Sequence, residues 1–172
     1  TYSRPNTVTF LAPTQEGQPL LTKRLPQGEG ISEEELETIS WSLQEKVPEA
    51  QRKAGYYWKW ELADIPTRNV TLTPQETGIP FEIHYDGNFK DWDTYAVLPA
   101  QSLTYGDIPE GTTLKDSAWT RAGWTFDGWY DAATDGSKVE LKEKVLYKGT
   151  DPYIPTELHE KLTLYAHWKA NT

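Results

Sequence analysis

Eight tryptophans and ten tyrosines stand in a chain of 172 residues whose hydrophobic share is only 37%. That combination constrains the fold more than any other feature. A disordered chain lacks such rings, because it buries too little apolar surface to offset the entropy of ordering. The chain therefore folds, and its core has to be assembled from few, large side chains, each burying about 150–250 Å². Thin β-rich layers suit such a core better than a thick helical bundle. The length allows one ordinary domain or two small ones.

Seventeen basic residues against twenty-six acidic ones give a net charge of −9. A surface of that sign repels phosphate backbones and anionic lipid, and no Lys/Arg stripe counters it, so no nucleic acid is expected as a partner. The absence of cysteine removes disulfides, thiol catalysis and thiolate metal sites. No stretch approaches about 18 consecutive apolar residues, so no membrane insertion is expected of this fragment. Thr1 opens no signal peptide, and the missing start methionine reads as the mark of a piece of a longer chain.

Along the chain, Val8–Leu11 and Leu20–Leu25 read as a hairpin around a Gly-containing loop. A helix over about 32–47 follows. Ser32 and Glu35 form a capping box, and Leu36, Ile39, Leu43 and Val47 make one apolar stripe before Pro48. Tyr56–Leu62 is an aromatic strand and Asn69–Thr73 a last one. The stretch Pro74–Pro80 has no periodicity and reads as a linker. The pattern then restarts with strands at Phe81–Tyr85, Leu98–Leu103, Trp124–Tyr130 and Leu162–Trp168, with a helical turn near Leu114. Val8/Phe10 matches Ile83/Tyr85, Ala54-Gly55-Tyr56 matches Ala122-Gly123-Trp124, and Val70-Thr71-Leu72 matches Leu162-Thr163-Leu164, in the same order. The expected fold class is α+β: two tandem small β-grasp-like units, mainly β with one clear helix, over 1–77 and 78–172.

Phe81-Glu82-Ile83-His84-Tyr85-Asp86-Gly87-Asn88, then Arg121-Ala122-Gly123-Trp124-Thr125-Phe126-Asp127-Gly128-Trp129-Tyr130, then Leu162-Thr163-Leu164-Tyr165-Ala166-His167-Trp168, resemble the internalin B-type repeat, also called the Listeria–Bacteroides repeat. The resemblance is clear over residues 81–170 and weak over 1–77. Two departures stand out: the long, charged stretch 88–98 and the insert 142–160. The resemblance implies a β-grasp-like unit found in tandem in secreted and wall-attached bacterial proteins, without catalytic activity. Its motif residues here are Gly123, Trp124, Phe126, Gly128, Trp129, Tyr165 and Trp168. Phe126, Trp129 and Trp168 are expected in the core, with a bulge at Gly128 turning Trp129 inward.

Catalytic patterns are missing from the sequence, and small units offer no deep cleft in which to raise a carboxylate's pKa, so no enzyme is expected. No cofactor and no metal are expected either. His84 and His167 read as strand residues rather than a metal pair, and Asp86, Asn88, Asp91 and Asp93 read as a solvated turn rather than a calcium site. The expected role is adhesion, protein–protein contact or stalk spacing at a bacterial cell surface or in a secreted protein. The partner is a protein or glycan outside the cell. The competing reading is a carbohydrate-binding module in which exposed Trp92, Trp58, Trp60 and Tyr153 stack on sugar rings.

Overall fold

A computed structural model describes residues 4–172. It divides into two compact units, one ending at Thr77 and one running Gly78–Thr172. Most of the regular structure is strand, with one substantial helix.

The first unit begins with β1 (Asn6–Leu11) and β2 (Pro19–Leu25), an antiparallel hairpin. Next come α1 (Glu33–Leu43), β3 (Tyr56–Lys59) and β4 (Val70–Leu72), and β5 (Gln75–Gly78) lies at the boundary. The sheet order is β2-β1-β4, and β4 runs parallel to β1 with Val8 opposite Val70 and Phe10 opposite Leu72. Parallel strands need a long crossover, usually a helix, and α1 supplies it. Ser32 caps α1, its hydroxyl accepting from the Glu35 amide at 3.1 Å. Leu36 and Leu43, with Val47 beyond the helix, are buried against Val8, Phe10 and Trp60.

Regular helix stops at Leu43, short of the expected 47, and passes into a 3₁₀ turn over Gln44–Lys46. Pro48 holds Val47 extended (φ −77°, ψ 132°), as the residue before a proline prefers. The Gln44 side chain acts as a neighbouring strand. Its Oε1 accepts from the Trp58 amide at 2.9 Å, and its Nε2 donates at 2.6 Å to the carbonyls of both Trp58 and Ser40. The fully buried Ser40 hydroxyl accepts from the Trp60 amide at 3.0 Å. Ser40 of the helix and Gln44 just beyond it thus satisfy one edge of the aromatic strand, while β5 pairs with β3. The expected linker at 74–80 is therefore strand along part of its length. Side-chain periodicity missed it because Gln75 and Glu76 are exposed and the segment is held by its backbone.

The second unit contains β6 (Pro80–Asp86), a four-residue turn of helix α2 (Trp92–Tyr95), β7 (Gln101–Thr104) and β8 (Trp124–Tyr130). A three-stranded excursion follows as β9 (Val139–Lys142), β10 (Val145–Lys148) and β11 (Asp151–Pro152), and the long β12 (Glu160–Ala170) closes the unit. The main sheet has the order β7-β6-β12-β8. β6 is antiparallel to β7 and parallel to β12, with Ile83 opposite Leu162 and Tyr85 opposite Leu164. On β12, Leu162, Leu164 and Ala166 face the core, while Thr163, Tyr165 and His167 alternate to a partly exposed face.

The helical turn expected near Leu114 is absent. Residues 105–123 cross the sheet without helix or strand, and side chains from the sheet take over backbone bonds at 113 and 115. The Lys115 amide donates to the Tyr85 hydroxyl at 3.0 Å, the Lys115 carbonyl accepts the Trp129 indole N–H at 2.9 Å, and Gln101 donates to the Thr113 carbonyl at 3.0 Å. A crossover needs buried polar groups paired, and either a helix or such side chains achieve that. Along β8, Phe126 pairs with Trp168 and Gly128 with His167, so Asp127 is an extra residue. Gly128 takes φ +128° there. The bulge brings Phe126 and Trp129 to the same side, 5.1 Å apart edge to face.

Replacing Gln44 by Leu leaves the Trp58 amide and carbonyl without their side-chain partner, a loss of about 1–3 kcal/mol. Thermal unfolding followed by tryptophan fluorescence should show the first unit melting at lower temperature. An unchanged transition would mean that the helix does not support this edge.

Candidate interaction surface

The stretch after β6, long and charged in sequence, folds onto its own unit. Asn88 takes φ +55°, its amide donates to Asp86 Oδ1 at 2.7 Å, and its side chain donates to the carbonyls of Ala133 and Ala166 at 2.8 and 2.9 Å. This turn sets Phe89 against Trp119 and Trp168, with ring centres 6.0 and 5.7 Å apart. Trp119 continues to Trp129 at 6.1 Å, Trp129 to Phe126, and Phe126 back to Trp168 at 5.7 Å. Five rings form a closed edge-to-face circuit. The indole N–H groups tie loops to it: Trp119 donates to the carbonyls of Trp92 and Ala96 at 3.2 and 3.1 Å, and Trp168 to that of Gly87 at 2.8 Å.

Above this circuit lies an open groove of about 510 Å³, lined by Phe89, Tyr95, Trp119, Arg121 and Trp124 and by Ala118, Thr120 and Ala122. Tyr95 is 74% exposed and Trp124 41%, so two large rings face solvent on its rim. The half-buried Arg121 guanidinium lies 4.9–5.0 Å from the ring centres of Phe89, Trp124 and Trp168. Its place comes from a tight turn in which the Trp124 amide donates to the Arg121 carbonyl at 3.0 Å. Gly123 there has φ +85°, which a side chain would oppose. The first unit carries a turn of the same form. The Tyr56 amide donates to the Lys53 carbonyl at 3.1 Å, Gly55 has φ +86°, and Lys53 sits 4.6 Å over the Tyr56 ring.

None of the four residues considered for a sugar platform is exposed. Trp60 is wholly buried and donates its indole N–H to the Leu11 carbonyl at 2.9 Å, because the helix lies over its face of the strand. Trp58 is half-buried against the same core, its indole N–H held by the Gln51 carbonyl at 2.8 Å. Trp92 is half-buried beside Trp119 at 5.9 Å, because α2 folds its ring inward and leaves Tyr95 outside. Tyr153 is half-buried against Phe81 at 5.1 Å, with its hydroxyl donating to Glu160. Among the motif residues, Trp129 is buried, Phe126 and Trp168 pack against the core, Tyr165 lies on the opposite sheet face, and Trp124 is exposed. His84 sits opposite Thr163, four residues from His167, roughly 13 Å along the strand. Among the described residues, no group of three or more His, Cys, Asp or Glu is placed to hold a metal ion. Phe89 and Tyr95 escaped selection by sequence, and Arg121 entered only as the first residue of the block ending at Tyr130, without a role. The one available signal was that Arg121 is the only arginine after Arg68.

No protein-family model matches the chain. Over 155 residues, 84% of the chain, it is 30% identical to a protein of Evansella cellulosilytica labelled a membrane protein. Over 139 residues, 73% of the chain, it is 29% identical to Internalin H of Listeria monocytogenes. The chain spans about a fifth (21%) of the length of each. No helix is long and apolar enough to cross a membrane among the described residues.

Burial and the bond to Glu160 both push the Tyr153 hydroxyl well above its ordinary pKa. For Glu160, burial acts to raise the pKa, but bonds from Tyr153, Thr156 and the Glu157 backbone outweigh it and hold the carboxyl below 4.5. A depressed carboxyl contributes stability at pH values above its ordinary pKa and loses it as pH falls through the lower folded value. Glu160→Gln should therefore lower the melting temperature at pH 7, with the gap to the native chain closing below about pH 4.5. Thermal melts across this range check it; a gap constant with pH would remove the charge from the account.

Proposed function

We propose that this chain is a non-catalytic module of a bacterial cell-surface or secreted protein, acting through protein–protein contact and built from two related β-grasp-like units. The observation that carries the reading is the exposed Arg–aromatic groove. Its lining contains neither a carboxylate nor an imidazole, so it offers no acid–base pair for catalysis. Exposed Tyr and Trp around an arginine are instead the residue types that dominate binding hot spots. The similarity to Internalin H supports a location at or beyond the cell surface, and the absence of cysteine is compatible with it. A sugar platform loses support, because Trp60 is buried and Trp58 and Tyr153 are pinned.

The relation between the units rests on register. Val8 meets Val70 and Phe10 meets Leu72 in one unit, as Ile83 meets Leu162 and Tyr85 meets Leu164 in the other. Each aromatic strand opens on a Gly turn that sets a cation over the first ring of the strand. Strand, strand, crossover and a parallel closing strand is the β-grasp order, with α1 as the crossover in one unit and an irregular segment in the other. The internalin B-type repeat is the family that this arrangement and the motifs favour.

An antibody raised against the chain should label intact, unpermeabilised cells of the source bacterium or its culture medium. Signal confined to the cytosol would overturn the reading. Fragments 1–77 and 78–172, expressed apart, should each unfold cooperatively; if neither does, the two-unit description fails.

A further inference from the structure

We propose that the Arg121 groove receives an extended peptide segment of a partner protein carrying a carboxylate side chain next to an apolar one. This deepens the contact reading and rests on it. Three features of the groove point to that occupant.

The first is an unfilled cation. Arg121 is the only arginine among residues 78–172. Among the described residues, no carboxylate pairs with it and no acceptor takes a hydrogen bond from its guanidinium. Three rings hold its position within 5.0 Å, while its five N–H donors lie in the guanidinium plane. That arrangement is pre-organised for the two parallel bonds a carboxylate makes. The second is an open backbone. The peptide groups of Ala118, Thr120 and Ala122, all exposed and all lining the groove, make no hydrogen bond to any other described residue. An extended chain laid beside them pairs its own N–H and C=O groups there, as strand-addition ligands do. A sugar lacks that repeating donor and acceptor. The third is the apolar rim, where Tyr95 and Trp124 expose ring faces on which an adjacent apolar side chain packs.

The net charge of this unit is −6, from nine basic and fifteen acidic residues. An acidic segment therefore gains no long-range attraction, and its carboxylate is recognised by short-range contact inside the groove. Added salt should screen the mutual repulsion and leave the half-buried pair comparatively intact. Association should accordingly speed up with salt, opposite to ordinary charge-steered binding.

The test pans a display library of random peptides on the whole chain, then measures the best end-capped synthetic peptide by fluorescence titration and amide NMR. The expected peptides are enriched in Asp or Glu beside an apolar residue and shift the amide signals of Ala118, Thr120 and Ala122. Arg121→Gln should weaken binding roughly tenfold to hundredfold, as for loss of a charged hydrogen bond. Arg121 also covers core rings, so Tyr95→Ala serves as the second variant. Its side chain is largely in solvent, and binding should fall several-fold with the melting temperature unchanged. The proposal is overturned if no peptide binds more tightly than about 1 mM, if the selected peptides lack carboxylates, or if both variants bind as the native chain does. Binding of hyaluronate oligosaccharides in place of peptides, lost in Arg121→Gln, would transfer the groove to acidic sugars and overturn it as well. Cell-surface labelling does not depend on the groove, so a failure of location and a failure of peptide binding are told apart.

Discussion

Trp119, Trp129 and Trp168 each pack an indole ring into the second core and donate its N–H to a loop carbonyl. A leucine of similar burial would fill space but could not hold a loop. With 37% hydrophobic residues, this chain has little aliphatic bulk to spare for separate core and loop contacts. Combining both in one side chain lets a small unit support long irregular segments. Each edge-to-face pair contributes about 0.5–1.5 kcal/mol beyond the area it buries, so the closed circuit of five rings outweighs the exposed ion pairs. Lys23–Glu35 at 3.3 Å and Lys142–Glu140 at 3.7 Å are solvent-facing, and such pairs contribute about 0–1 kcal/mol each.

The two units meet the same topological demand by different means. A strand parallel to the first needs a crossover whose backbone polar groups are satisfied. In the first unit the helix satisfies itself, and Gln44 and Ser40 extend its hydrogen bonding to the aromatic strand. In the second unit no helix forms there, and Tyr85, Gln101 and Trp129 bond the backbone of 113–115 from the sheet. The helix is thus a replaceable part, while the register of the parallel pair is common to both units.

The groove follows from the same loop-holding bonds. Trp119 keeps α2 close through the carbonyls of Trp92 and Ala96, and that turn projects Tyr95 outward while Trp92 folds in. The Gly123 turn places Arg121 over Phe89, Trp124 and Trp168. The exposed groove therefore stands on core contacts, although most of its residues lie in loops.

Local sequence determined the elements whose signals are local. The Ser32 cap, the stripe Leu36–Leu43, and the alternation of Val8 and Phe10 all act within a few residues, so spacing alone reveals them. The bulge at Gly128 was legible for the same reason. What only the tertiary structure decided is which rings face water. Trp58 and Trp60 share a strand face, yet the helix above them makes that face core; Trp92 and Tyr95 share one helical turn, yet Trp119 captures the first and leaves the second. Strand β5 and the crossover at 105–123 were hidden too, because distant groups hold their backbones and their own side chains carry no period. Burial is a property of what lies opposite, and in this chain the opposing groups come from segments tens of residues away.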